Sequence, residues 1–173
     1  EKFPDVSKVN TDDWAYCDRY PMSWGGHRAY YWFETFVTIP EEMDGQCIVY
    51  EQMTGKEDGW DATNPQFTIY VNDVLKQGLD INHREVLLTE HAKAGERYRI
   101  MLSAFTGDHN MNLVLDARIK VLHRETEKYY YDLKMPYDTA CLLRESDTEY
   151  RDIILNLNES LNLLDLRKPY SDA

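Results

Sequence analysis

Tyr30-Tyr31-Trp32-Phe33-Glu34-Thr35-Phe36-Val37-Thr38-Ile39-Pro40 reads as a half-buried β-strand. Tyr31, Phe33, Val37 and Ile39 recur at period two, and Pro40, which has no N–H to give a ladder, ends the run. The pattern repeats outward from there. Gln46 to Met53 is a second strand. Phe67, Ile69 and Val71 alternate into Asn72-Asp73, two residues that tolerate left-handed backbone angles and so predict a tight hairpin turn into Val74 to Gln77. Val86 to Leu88 is a short strand, and Ala94-Gly95 is a turn before Arg97 to Phe105, with Tyr98, Ile100, Leu102 and Ala104 on one face. Asn112 to Leu122 is the last strand, with Leu113, Leu115, Ala117, Ile119 and Val121 inward. Roughly six to eight short strands, with turns every ~8–12 residues and no helix between them, predict a mainly β chain: an antiparallel sandwich of jelly-roll type.

The character of the chain changes near residue 123. Residues 1–123 carry the strand pattern, and residues 124–173 read as a two-helix linker. From Arg124 to Leu143, Tyr130, Leu133, Tyr137 and Cys141 fall at helical spacing, and Pro136 is expected to kink or break that helix near Met135. Ser146-Asp147-Thr148-Glu149 matches a capping box opening a second helix. Ile153, Ile154, Leu157, Leu161 and Leu164 form its apolar stripe, and Lys168-Pro169 stops it. A stripe that wide needs cover on more than one side, so a further domain of a longer parent, or a second copy of this chain, is expected to cover it through these helices.

Of 173 residues, 31 are acidic and 19 basic, a formal charge of −12. That balance argues against nucleic acid, whose phosphates need a surplus of Lys and Arg on one face. No apolar run approaches ~18 residues, so no membrane span is expected. The chain opens on Glu1-Lys2-Phe3, with neither a Met start nor a secretory leader, and reads as trimmed. Cys17, Cys47 and Cys141 are widely spaced and odd in number, which favours free thiols and a cytoplasmic home over a disulfide framework.

Little in the residues points to catalysis. The five histidines, His27, His83, His91, His109 and His123, make no H-x-H, H-x-x-x-H or H-E-x-x-H, so a metal site has no local support. There is no Gly-rich phosphate loop, and no carboxylate pair is singled out. Two stretches do stand out: Gly59-Trp60-Asp61-Ala62-Thr63-Asn64-Pro65-Gln66 and Gly78-Leu79-Asp80-Ile81-Asn82-His83-Arg84-Glu85. The first lies in a twelve-residue loop, Thr54 to Pro65, long for a compact domain. Both are dense in side chains that make directed hydrogen bonds. They form a docking or ligand surface, or else their Asp and Asn residues satisfy their own turns while Trp60 plugs the end of the sandwich. Trp24, in Ser23-Trp24-Gly25-Gly26-His27, either stacks on a sugar ring or lids the core.

The order of these segments carries a resemblance. W-G-G is followed by Y-Y-W-F-E-T-F-V-T-I-P, then G-W-D-A-T-N-P-Q, I-Y-V-N-D, Q-G-L-D-I-N-H-R-E, K-A-G-E-R-Y and finally L-N-L-L-D-L-R. Taken together, from about Trp24 to Arg167, the chain resembles the N-terminal region of glycoside hydrolase family 38 alpha-mannosidases of the cytosolic and bacterial branch. G-W-D-x-x-N-P-Q followed by G-L-D-x-N-H-R-E is the specific pair. Family 2 glycosidases have a similar layout in their sugar-binding-like jelly roll, so a galactose-binding-domain-like sandwich is implied more broadly.

The resemblance implies a parent enzyme that removes terminal alpha-mannose with retention, using a zinc ion and an Asp nucleophile in a separate downstream domain. The family's H-x-H-x-D zinc motif is not in these residues, so no catalytic or zinc-binding residue is carried over, and no cofactor is expected in this region itself. The implied role is a non-catalytic accessory domain. Its end loops, with Trp24, Trp60, Asp61, Asn64, Asp80, Asn82, His83 and Arg84, would dock the catalytic domain of the same chain or a second subunit. The alternative is a carbohydrate-binding module with its own mannoside site. An exposed Trp24 or Trp60 beside convergent polar groups would favour that alternative, and buried rings would count against it.

Overall fold

The computed structural model describes residues 5–53 and 65–164. The chain divides into two compact units, residues 1–122 and 123–173. The first contains eight strands: β1 (Met22–Gly26), β2 (Tyr30–Thr38), β3 (Ile48–Met53), β4 (Gln66–Val71), β5 (Val74–Leu79), β6 (Glu85–Thr89), β7 (Arg97–Phe105) and β8 (Met111–Val121). They form two four-stranded sheets, ordered β1-β8-β3-β6 and β2-β7-β4-β5. Every pairing is antiparallel.

The alternation in the sequence decides which side chains meet. Ile48 and Tyr50 of β3, Val86 of β6 and Leu113 of β8 pack with Phe67, Ile69 and Val71 of β4 and with Ile100 and Leu102 of β7. Residues of both sheets thus share one core, which makes the unit a β-sandwich. A smaller cluster lies on the outer face of the second sheet, where Val6, Val9 and Trp14 of the N-terminal segment pack on Tyr70, Met101 and Trp32. The expected turn at Asn72-Asp73 is present, with φ of 49° and 66° at the two residues. That is the left-handed pair that matches the twist of a two-residue hairpin.

The second unit is a pair of helices, α1 (Arg124–Ala140) and α2 (Thr148–Asn162). The Tyr129 hydroxyl near the start of α1 donates to the Ser160 carbonyl near the end of α2 at 3.0 Å, so the pair is an antiparallel hairpin. Two expectations are corrected here. Of the kink or break expected at Pro136, the break does not occur, since α1 continues to Ala140. Only the bond from position 136 to the Asp132 carbonyl is forfeited, and Asp132 is exposed, so water can satisfy that oxygen. The capping box also does not form. The N-cap is Asp147, not Ser146, and its side chain makes no cap bond. Its carboxylate is drawn backward instead, accepting from the Arg144 N–H at 3.2 Å and pairing with the Arg144 guanidinium at 3.2 Å.

Candidate functional site

Strand register brings the loops together. Phe67 lies opposite Leu79, so β4 begins where β5 ends. Glu51 lies opposite Glu85, and Met53 opposite Asp116, so β3 ends where β6 begins and near the start of β8. Gly26 faces Met111, and Tyr30 faces Phe105. One end of the sandwich therefore gathers the β1–β2 loop, the flanking residues Met53 and Pro65, the β5–β6 loop and the β7–β8 loop. Loops held on a rigid sandwich are where binding groups are commonly found.

The β5–β6 loop is built around Asp80. Its Oδ1 accepts from the backbone N–H groups of Asn82 and His83, both at 2.8 Å, and lies 3.1 Å from His83 Nδ1. The Asp80 N–H in turn donates to the His83 carbonyl at 3.1 Å. Arg84 Nε donates to the Ile81 carbonyl at 2.9 Å, and the Arg84 carbonyl accepts from the Gln52 N–H at 2.9 Å, tying the loop to β3. Partial burial raises the Asp80 carboxyl pKa, but the two backbone donors and His83 outweigh it and hold the group below its ordinary value. Asp80 is thus consumed in shaping the loop, while His83 and Asn82 are displayed from it.

The neighbouring loops are joined in the same way. Thr106 Oγ1 accepts from the Ala29 N–H at 2.9 Å, the Arg28 N–H donates to the Gly107 carbonyl at 3.2 Å, and Arg28 Nε lies 3.6 Å from Asp108 Oδ1. Arg28 sits at φ 50°, in the left-handed region. Arg28 and Asp108 carry no signal in the sequence, since only strand register brings them to this end.

Trp24 is a core residue, 7% exposed, with its ring held edge-on to Tyr31 and Phe33 and tilted against Phe67. Its indole N–H is the one buried side-chain polar atom without a partner among the described residues. Trp60, Asp61 and Asn64 lie outside the described residues. Among the described residues, no three His, Cys, Asp or Glu side chains come together as a metal site, and no helix is long and apolar enough to cross a membrane.

A second feature, not legible from spacing, is a cleft of about 650 Å³. It opens between the sheets on the side where β2 and the second half of β8 approach each other. Phe33, Val37, Tyr50, Ile100, Leu102, Leu115 and Ile119 line it from the sandwich, and Trp14, Tyr16 and Tyr20 from the N-terminal segment. The Tyr20 hydroxyl donates to the Ala117 carbonyl at 2.7 Å and also accepts from the Ala117 N–H. At the floor, the Tyr50 hydroxyl donates to Gln52 Oε1 at 2.7 Å, and Gln52 Nε2 donates to the Met53 and Asp116 carbonyls at 2.8 and 2.9 Å. Burial pushes the Tyr50 phenol well above its ordinary range, so it stays protonated.

On the outer face of the first sheet, Glu51 pairs with Arg118 and, at 2.9 Å, with Lys120; Lys120 also reaches Glu85 at 2.5 Å. These charges close on one another, so Glu51 and Glu85 are both engaged as partners of Lys120. No protein-family model matches the chain, and no curated protein is significantly similar to it in sequence.

Proposed function

We propose that this chain is a non-catalytic accessory domain of an alpha-mannosidase-type glycoside hydrolase, and that its sandwich is a jelly roll. The strand order supports the jelly roll. β1 pairs β8, β2 pairs β7, β3 pairs β6 and β4 pairs β5, as when one long hairpin is rolled into two sheets. The observation that carries the accessory role is the meeting of loops. Pro65-Gln66, which close the first singled-out stretch, enter β4 beside Leu79, from which the second stretch departs. The described ends of the two segments behind the family resemblance, Pro65-Gln66 and Gly78-Leu79, thus lie side by side at one end of the sandwich. Asp80 stiffens that end in advance, which lowers the ordering cost of docking against a partner domain. The zinc and the nucleophile of such an enzyme would belong to the catalytic domain that this end supports.

Two measurements test the reading. The coding sequence beyond Ala173 is expected to contain an H-x-H-x-D segment; an unrelated domain there would overturn the assignment. The purified chain is expected to leave an aryl alpha-mannoside intact with or without zinc. Turnover abolished by a chelator would assign the chemistry to this domain instead.

A second reading, a carbohydrate-binding module, is favoured by one patch. On the outer face of the second sheet, Tyr30 is 76% exposed and lies 4.8 Å from Phe105, in register with Gln66. The adjacent row of Ser103, Thr68 and Gly78 carries no charge. An aromatic face beside neutral hydrogen-bonding groups suits a sugar ring. Mannose-induced NMR shifts confined to Tyr30, Phe105 and Ser103 would establish it, and shifts absent at high millimolar sugar would eliminate it.

A further inference from the structure

We propose that the cleft between β2 and β8 binds a flat, ring-containing apolar molecule carrying a hydrogen-bond donor, of the phenol or indole kind. This is independent of the mannosidase reading. The inward positions of the sandwich are filled unevenly. Ile48, Ile69, Ile100 and Leu113 are 0–1% exposed, whereas the inward-facing Phe33, Val37, Leu115, Ala117 and Ile119 are only partly buried. Thr35, which alternates with Phe33 and Val37 and so also faces inward, is exposed. The unfilled side is the cleft, and its volume of about 650 Å³ suits a small ligand.

Shape and chemistry select the occupant. Packed sheets lie ~10 Å apart, so the slot admits a planar ring edge-on but not a helix, whose diameter with side chains is ~10–12 Å. An added β-strand would need the free edge of β8, but the Tyr20 hydroxyl already takes both backbone groups of Ala117. The walls are mostly aromatic and aliphatic, with Glu34 and Arg118 also among the lining residues, so a ring packs favourably. The floor then fixes the polarity. Both N–H groups of Gln52 are spent on backbone carbonyls, so Gln52 presents its carbonyl oxygen to Tyr50 and forces that hydroxyl to donate. What the Tyr50 oxygen retains is acceptor capacity. Tyr50 lines the cleft while only 2% exposed, so a ligand that reaches its oxygen must enter deeply and bring a donor.

The test uses the whole chain with 2-naphthol and 2-methoxynaphthalene, two rings of similar size of which only the first can donate. Emission from Trp14 and Trp32, which both line the cleft, reports binding. Saturable binding is expected for both, with naphthol the tighter. Thr35→Phe fills the mouth from an exposed position and Ala117→Leu fills the wall; each should weaken both probes by about tenfold or more. Tyr50→Phe should erase the preference for naphthol while retaining ring binding. Absence of saturable binding, or affinities unchanged in both filled variants, overturns the proposal. Should Tyr50→Phe fail to fold by circular dichroism, Thr35→Phe decides alone, because it alters no buried contact.

Discussion

The Tyr20 hydroxyl bonds both backbone groups of a single residue, Ala117, ninety-seven positions away, accepting from its N–H and donating to its carbonyl at 2.7 Å. Beyond Leu115, the β8 edge facing β1 has no strand partner among the described residues, because β1 pairs from Met22 to Gly26. A phenol here does the work of the missing ladder rung. An unpaired edge is also a template for aggregation.

Tyr20→Phe removes both bonds while keeping the ring. Urea unfolding is expected to show a loss of about 1–2 kcal/mol, the net worth of two such bonds. Amide exchange at Ala117 should accelerate, while Leu113 in the β1-paired half stays protected. Unchanged exchange at Ala117 would refute the capping role.

Stability should fall in acid through two carboxylates. Burial raises the Glu51 pKa, but bonds from Arg118 and Lys120 outweigh it; Asp80 is held down by its loop donors. A folded pKa below the unfolded value contributes stability that is complete above the unfolded value, about 4 for these groups, and is lost as pH falls through the folded one. Below about pH 4, therefore, the wild type should lose stability more steeply than Glu51→Gln or Asp80→Asn, measured by thermal melts across pH 2 to 7. Parallel curves would exclude these groups as the cause.

Trp24 offers a contrast within one site. Trp24→Ala opens a cavity under Phe33 and Phe67 and should cost about 3–5 kcal/mol. Trp24→Phe keeps an aromatic ring and deletes a buried donor that has no partner, an atom whose burial costs about 1–3 kcal/mol. Its net loss should be under half that of Trp24→Ala, as read by denaturant midpoints at constant m-value.

The helical hairpin predicts association. No residue of α2 is fully buried, and Leu161 and Leu155 are 46% and 57% exposed. Tyr130, Leu133, Tyr137, Ile154, Leu157 and Leu161 line an open groove of about 560 Å³. Leu157→Glu with Leu161→Glu should reduce the mass seen by light scattering at high concentration while the β-sheet signal in circular dichroism persists. A monomeric wild type would refute it.

Most of the sandwich is legible in the sequence because its strands alternate. Arg97–Phe105 was readable to the residue, and the Asn72-Asp73 turn was readable from its chemistry alone. β1 was not, since Met22–Gly26 has two glycines at φ 141° and 121° and shows no alternation. Without β1, the reading of Trp24 as a lid on the core rests on its neighbouring glycines alone, with a stacking platform as the alternative. The Asp80 loop was visible as a cluster of hydrogen-bonding residues, but its partners depend on one carboxylate oxygen turning back on its own backbone. The cleft left no trace in spacing, because it arises from residues ten or more positions from the nearest strand motif meeting inward positions of β2 and β8. The helices are legible from periodicity, but their cap is not, because Arg144, outside the motif, draws the Asp147 carboxylate back.

The rolled-hairpin pairing also sets an order of events. β4 and β5 meet across a two-residue turn, β3 and β6 must close a longer loop, and β1 pairs with β8, the last strand to be made. Closing each successive pair costs more chain entropy than the one before, so folding is expected to start at Asn72-Asp73 and spread outward. During synthesis, the apolar inner face of β1 must therefore wait for its partner β8 to emerge, exposed to whatever chaperone or neighbour reaches it first.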